Sequence, residues 1–232
     1  MNSLIIHNIK LYAPIDSSDL IEYAISNRKI LIAVNAEKIL MADSNFAKFI
    51  SNNIGYPDGI GAVWLLRRRG FSYAKRIPGV ELWLNIINER YLINSFYLVG
   101  GKEEVIQTTV NKLKLDFPRF NLLGFRNGYI TSEEERIALK NDILLKKPDI
   151  VFVAMGSPIQ EELMQELYEA HPAVYQGLGG SFDVYTGRID RAPEWWRNNN
   201  LEWAYRLYKE PWRIKRQIHL IKFLPYIIFN KK

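Results

Sequence analysis

Asp149-Ile150-Val151-Phe152-Val153-Ala154-Met155-Gly156-Ser157-Pro158 is the stretch that decides the fold. A short apolar run rich in valine and isoleucine, closed by a Gly-Ser-Pro turn, reads as a buried strand. A helical pattern follows it, through Met164 to Ala170. Working outward, the same unit recurs. Downstream, Ala173 to Gln176 is a strand that ends at Gly177-Leu178-Gly179-Gly180-Ser181. Upstream, Ser95-Phe96-Tyr97-Leu98-Val99 is a strand that stops at Gly100-Gly101-Lys102, with a helix from Glu103 to Leu115. Phe120 to Phe125 is a short strand ending near Asn127-Gly128-Tyr129, and Ser132 opens a helix to Lys146. Strand, glycine turn and helix at this spacing mean right-handed βαβ units. The expected fold class is α/β, a Rossmann-like parallel sheet flanked by helices. Ligands of such sheets bind at the carboxyl ends of the strands, where the glycine turns fall.

The N-terminal third is read in the same way. Residues 3–13 alternate loosely as a strand or hairpin, and Ser17-Ser18-Asp19 offers an N-cap to a helix carrying Leu20, Ile21, Ala24 and Ile25. Lys29 to Val34 reads as a buried strand that ends where a helix begins, at Asn35-Ala36-Glu37-Lys38. Asp43-Ser44 caps another helix running toward Asn52-Asn53. A further helix ends at Arg67-Arg68-Arg69-Gly70, where basic residues followed by glycine make a good C-terminus. Arg76-Ile77-Pro78-Gly79-Val80-Glu81 is a turn leading into a helix through Trp83, Ile86 and Ile87.

Between these helices lies Tyr56-Pro57-Asp58-Gly59-Ile60-Gly61. Proline pushes the residue before it into an extended conformation, and the glycines permit a sharp turn or a close approach to a ligand. Asp58 is therefore expected at a loop-to-helix junction with its carboxylate fixed in direction, which suits a general base. Two bland readings stand beside it, an N-capping aspartate and a Pro-Asp-Gly turn. Gln160, in the first turn of its helix, has two readings as well: a ligand contact or a structural residue beside Glu161 and Glu162, whose charges suit the helix dipole.

Composition narrows the function classes. The 232 residues contain no cysteine, so neither a disulfide framework nor a thiolate metal site is available. His7, His171 and His219 are far apart, and no metal site is expected. No turn matches a P-loop, and Gly177-Leu178-Gly179-Gly180 lacks the spacing of a dinucleotide fingerprint, which disfavours hydride transfer. Backbone N–H groups at the three glycine turns, backed by helix N-termini, instead favour phosphate oxygens. The N-terminus has no basic region followed by an apolar core, so no signal peptide is expected, and no apolar run is long enough to span a membrane.

The charge is unevenly spread. Residues 191–232 hold ten Lys/Arg and three Asp/Glu, a net of +7, and the preceding 190 residues have a net of −1. The same segment holds Trp195, Trp196, Trp203 and Trp212, and if it is helical Arg206, Lys209, Arg213 and Arg216 share roughly one face, with Pro211 kinking or restarting the helix. Aromatics beside a basic face suit an anionic membrane surface. A packing helix with a solvated basic face, a subunit interface in a homo-oligomer, and nucleic-acid binding are the other readings. No nucleic-acid module accompanies the last, and no nucleic-acid partner is expected. The expected organisation is a catalytic α/β domain over 1–190 and a helical C-terminal appendage over 191–232.

Taken together, Asn35-Ala36-Glu37, Pro57-Asp58-Gly59-Ile60-Gly61, Leu98-Val99-Gly100-Gly101-Lys102, Gly156-Ser157-Pro158-Ile159-Gln160-Glu161, Gly179-Gly180-Ser181-Phe182-Asp183, Arg191-Ala192-Pro193 and Leu201-Glu202-Trp203-Ala204-Tyr205-Arg206 form a collinear set. The set resembles the WecG/TagA/CpsF glycosyltransferase family of bacteria over nearly the whole chain. The resemblance implies an inverting transferase that needs neither metal nor cofactor. Its donor would be a UDP-linked N-acetylmannosamine or the corresponding uronic acid, and its acceptor a sugar on a polyprenyl diphosphate at the cytoplasmic face of the membrane. Val34 to Lys38 and Val153 to Pro158 look more like the aminouronate-transferring branch than the teichoic acid branch. A hexosyltransferase of the same family, and a non-catalytic sugar-nucleotide-binding module, are the alternatives.

By motif, Asp58 would be the base, with Asn35 beside it. Arg76 and Gln160 would help hold the donor's diphosphate or sugar, together with Gly100, Gly101, Gly156, Ser157, Gly179, Gly180, Asp183 and Arg191. Arg206, Arg213 and Arg216 would contact the membrane or the leaving UDP. The family usually has lysine where Ile159 stands and aspartate where Glu81 stands, which bears on donor identity more than on reaction type.

Overall fold

A computed structural model describes residues 1–199, 201–209, 223 and 225. The chain opens with β1 (Ser3–Ile6) and β2 (Ile9–Tyr12), an antiparallel hairpin. His7 and Asn8 turn it with φ of 47° and 62°, the left-handed geometry that a two-residue hairpin loop demands. Then come α1 (Ser17–Asn27), β3 (Ile30–Val34), α2 (Ala36–Met41), α3 (Ser44–Asn52), β4 (Ile54–Pro57), α4 (Ile60–Arg68) and α5 (Gly79–Arg90). The repeating half follows with β5 (Phe96–Gly100), α6 (Glu103–Asp116), β6 (Leu122–Arg126), α7 (Glu133–Lys146), β7 (Ile150–Ala154), α8 (Ile159–Ala170) and β8 (Val174–Gly177). Short helices α9 (Ser181–Tyr185), α10 (Glu194–Asn198) and α11 (Glu202–Lys209) complete the described elements.

The strands form an eight-stranded sheet in the order β1-β2-β4-β3-β8-β7-β5-β6. Only the β1–β2 hairpin is antiparallel among the pairs β1–β2, β2–β4, β3–β8, β8–β7, β7–β5 and β5–β6. The α/β class and the parallel, helix-flanked sheet expected from the sequence are therefore observed. β4 is the strand the sequence reading did not name. It is four residues long and wholly buried, and Gly and Pro, both unfavourable in strands, conceal it in the sequence. Gly55 is required there: a Cβ would lie 2.8 Å from the carbonyl oxygen of Lys10 on the neighbouring β2.

The chain divides into two compact units. The first comprises Met1–Asp16, Ala33–Pro78 and the chain from Asp190 onward. Its core holds Ile9, Leu11, Val34, Ile50, Tyr56, Leu65, Leu66 and Phe223, all fully buried. Helix α4 buries Ala62, Val63, Leu65 and Leu66 and exposes Trp64, Arg67 and Arg68. Arg69 caps its C-terminus and Gly70, at φ +100°, turns the chain away, as the basic-then-glycine ending suggested.

The second unit comprises Ser17–Ile32 and Gly79–Ile189. An aromatic core fastens its sheet to its helices. Trp83 of α5, fully buried, meets Phe152 of β7 edge-on at 5.8 Å, Phe182 of α9 at 5.6 Å and Tyr185 at 5.2 Å between ring centroids. Such geometry adds roughly 0.5–1.5 kcal/mol per pair beyond area burial. Strand β5 sits between β6 and β7. The chain leaves β5 for β6 on one side, then crosses back through α7 to β7 on the other. The carboxyl ends of β5 and β7 thus flank a topological switch point, where open α/β sheets bind their ligands.

Candidate active site

In the first unit, Asp58 follows β4 directly and precedes Gly59, which is the N-cap of α4. The aspartate is therefore not the N-cap residue of α4, and its side chain is half-buried. Its backbone is held from two directions. Its N–H donates to the carbonyl oxygen of Val34 at 3.1 Å, and its own carbonyl oxygen accepts from Arg76 Nε at 2.7 Å. The neighbouring Ile77 N–H donates to the Pro57 carbonyl oxygen at 2.9 Å. These bonds fix the strand-to-helix corner from which the carboxylate projects.

Asn35 lies against this corner. A Cβ on Gly59 would come 2.8 Å from the Asn35 Cβ, so glycine is what admits the asparagine there. The Asn35 side chain caps α2, its Oδ1 accepting from the Lys38 N–H at 2.9 Å. One face of Gly61 packs on Ala36 and on the buried ring of Phe223, which would lie 3.2 and 3.4 Å from a Cβ at that position.

Arg76 carries a second bond, from Nη2 to Glu202 Oε2 at 3.0 Å. Arg191 Nη2 approaches the same oxygen at 3.7 Å. Glu202 is 3% exposed, and the two arginine side chains are each 18% exposed. The sequence reading did not single out Glu202 as a site residue. Its signal was available: it is one of three acids in a segment with ten bases and four tryptophans. An acid there that is not solvated must be holding cations.

In the second unit, the glycine turns divide into two kinds. Gly100 and Gly101 serve close approach of backbones. Gly100 has φ +135°, and a Cβ there would lie 2.3 Å from the carbonyl oxygen of Ala154. The Gly101 N–H donates to that same oxygen at 3.0 Å, and Gly128 N–H donates to the Gly101 carbonyl at 2.9 Å. Gly128, at the end of β6, thus joins the cluster; a Cβ on it would sit 3.1 Å from the Gly100 Cα. Gly156, Gly179 and Gly180 are the opposite kind: nothing lies within 4 Å of where a Cβ would be. Their backbones border open space at the ends of β7 and β8, with exposed Ser157 beside them on a cis peptide to Pro158.

Gln160 ties these two open turns together. Its Oε1 accepts from the Gly156 N–H at 3.2 Å and from the Gly179 N–H at 2.9 Å. The side chain is buried, 6% exposed, and a Cβ on Gly177 would come 2.5 Å from its Nε2. Its amide oxygen is thus engaged by two backbone donors that set the relation of the turns. Asp183 is half-buried in α9, where its carbonyl oxygen accepts from the N–H groups of Arg188 and Ile189.

At the base of the β5–β6 edge, Tyr97 donates its hydroxyl to Asp142 Oδ2 at 2.6 Å, and Lys146 Nζ is 2.9 Å from the same oxygen. Burial, then the hydrogen bond and charge of Asp142, push the Tyr97 phenol well above its ordinary value. Burial raises Asp142, but the Tyr97 and Lys146 bonds outweigh it and hold the carboxyl below its ordinary value.

Among the described residues no three His, Cys, Asp or Glu side chains group as a metal site would, and no helix is long and apolar enough to cross a membrane. Arg206 falls within the backbone span of α11, with its side chain outside what is described. Arg213 and Arg216 lie outside the described residues.

The sequence profile of the glycosyl transferase WecG/TagA/CpsF family matches residues 6–232, nearly the whole chain. The match takes in every motif from Asn35 to Arg206. The chain belongs to the WecG/TagA/CpsF glycosyltransferase family and is an enzyme that transfers a sugar in cell-surface polysaccharide synthesis.

Proposed function

We propose that this enzyme moves an N-acetylmannosamine-type sugar, N-acetylmannosamine or its uronic acid, from a UDP donor to a sugar on a polyprenyl diphosphate. The reaction is a direct displacement with inversion. Asp58 accepts the proton of the acceptor hydroxyl as its oxygen attacks the anomeric carbon, and the bond from that carbon to the diphosphate breaks to release UDP. The observation that carries this reading is the corner at Asp58: a half-buried carboxylate just before the N-cap residue of α4, on backbone fixed by Val34 and Arg76. A general base needs such a fixed direction.

The other roles follow from chemistry. Charge developing on the departing diphosphate must be met by preorganised donors. Arg76 is bonded to the corner, and Arg191 approaches the same Glu202 oxygen as Arg76, so these two cations are suited to that role. Gly156, Ser157, Gly179 and Gly180 offer open backbone suited to phosphate or sugar oxygens, Gly100, Gly101 and Asp183 shape the neighbouring turns, and Gln160 serves the donor by setting the turns. Asn35 lines the base. Residues 191–232, with Arg206, Arg213 and Arg216, form a basic, aromatic appendage that brings the enzyme to the anionic cytoplasmic face of the membrane, where the lipid-linked acceptor resides.

Asp58→Asn tests the base. Turnover of a UDP-sugar with a synthetic polyprenyl-diphosphate sugar, read by product mass, is expected to fall at least ~100-fold, while UDP binding by calorimetry stays at the parental level. Near-parental turnover in that variant would overturn the assignment.

A further inference from the structure

We infer that Glu202, in the C-terminal segment, is a positioning residue for the Asp58 corner and acts through Arg76; the inference rests on the role proposed for Asp58. Its buried carboxylate lies 3.0 Å from Arg76 Nη2, and Arg76 Nε in turn donates to the Asp58 carbonyl oxygen at 2.7 Å. A guanidinium is a rigid planar fork, so anchoring one arm fixes the aim of the other. The bonds of Asp58 N–H and Gly59 N–H to Val34 and of Ile77 N–H to Pro57 are backbone to backbone. Arg76 adds a side-chain clamp to these, and Glu202 holds the clamp.

Stability alone does not account for the glutamate. A buried ion pair is often matched or bettered by apolar residues of similar volume, because desolvating the charges offsets their attraction. What a carboxylate adds is direction. It draws Arg76 and Arg191 to one oxygen, the latter at 3.7 Å. Glu202 also opens α11, so the same carboxylate links the basic segment to the residue proposed as base.

The test compares the parent chain with Glu202→Gln, Glu202→Met and Glu202→Asp. The probes are UDP-N-acetylmannosamine and a synthetic polyprenyl-diphosphate sugar, alongside hydrogen exchange of the folded proteins. Removing the charge, by Gln or by the shape-preserving Met, is expected to lower kcat about tenfold or more with a smaller change in KM for the donor. Exchange at Asp58 and Ile77 should quicken while β5 and β7 stay protected, and Asp at 202 should recover part of kcat. Parental kcat in both charge-removing variants overturns the inference, as does exchange that quickens uniformly across the chain. The Asp58→Asn variant separates the two readings. If it keeps parental turnover, the base assignment falls and this inference with it; if it is inactive while both charge-removing variants are parental, only the role of Glu202 falls.

Discussion

Arg76 Nε donates to the carbonyl oxygen of Asp58 at 2.7 Å, across 18 residues of chain. This side chain therefore joins the backbone bonds in holding the corner after β4, and it does so from a turn that the sequence marks only by Arg76-Ile77-Pro78-Gly79. The first prediction concerns this bond. Arg76→Met removes a donor from the Asp58 carbonyl and leaves Glu202 with Arg191 of the two arginines described beside it. Breaking a buried pair costs about 3–5 kcal/mol when nothing compensates, and the remaining arginine should keep the loss near the lower end. Urea denaturation measures it. Arg76→Lys should fare little better, since a single ammonium cannot span both acceptors as the fork does.

Gly100 and Gly180 offer a matched pair of substitutions. Gly100→Ala would drive a methyl into the Ala154 backbone at a positive φ, and strain with overlap should cost about 3 kcal/mol or more. Gly180 has φ −92° and open space around it. Gly180→Ala should leave stability within about 0.5 kcal/mol. A drop in donor affinity in that variant, measured by UDP calorimetry, would then mark the approach of a ligand to the backbone; unchanged affinity would remove Gly180 from the donor site.

Gln160→Ala deprives the Gly156 and Gly179 N–H groups of their shared acceptor. Leaving such donors unmet costs about 1–3 kcal/mol. Because the side chain is engaged within the protein, the loss should appear in the thermal unfolding of the free enzyme, before any substrate is added. A variant with parental unfolding and impaired donor binding would instead mark Gln160 as a ligand contact.

Asp142 gives a pH dependence with a definite sign. Its carboxyl is held below its ordinary value of 3.8 by Tyr97 and Lys146, against the upward pull of burial. The native state therefore binds this proton less readily than the unfolded chain. The contribution to stability is fully present above the ordinary value and is lost as pH falls through the lower, native one. Denaturation midpoints for the parent and Asp142→Asn should differ at neutral pH and converge in acid. A constant difference across that range would contradict the ion pair.

The repeating half of the chain was legible because its signals are local. Phe96–Gly100 and Ile150–Ala154 are apolar runs with glycine at or soon after their ends, Val174–Gly177 likewise ends on glycine, and each helix between them shows its apolar positions in order. Asn35 and Ser132 were readable as helix starts and Asp43 as a cap, and each accepts the N–H three residues on. β4 was not legible, because Ile-Gly-Tyr-Pro carries its strand character only in the company of β2. Glu202 was legible only as a rare acid in a basic segment; its burial and its pairing with Arg76 depend on residues far away in the chain.

The sequence by itself determined the alternation of strand and helix, the places where glycine ends a strand, and the family. Those follow from periodicity and from backbone limits that act within a few residues. Tertiary structure decided which glycines are shut against backbone, as Gly100 is, and which stand open, as Gly156, Gly179 and Gly180 do. It also decided that Gly59, and not Asp58, caps α4, and that Arg76 and Arg191 share Glu202 across more than a hundred residues for the former. Close approach and ion pairing depend on distances through space, and the order of residues along the chain does not contain them.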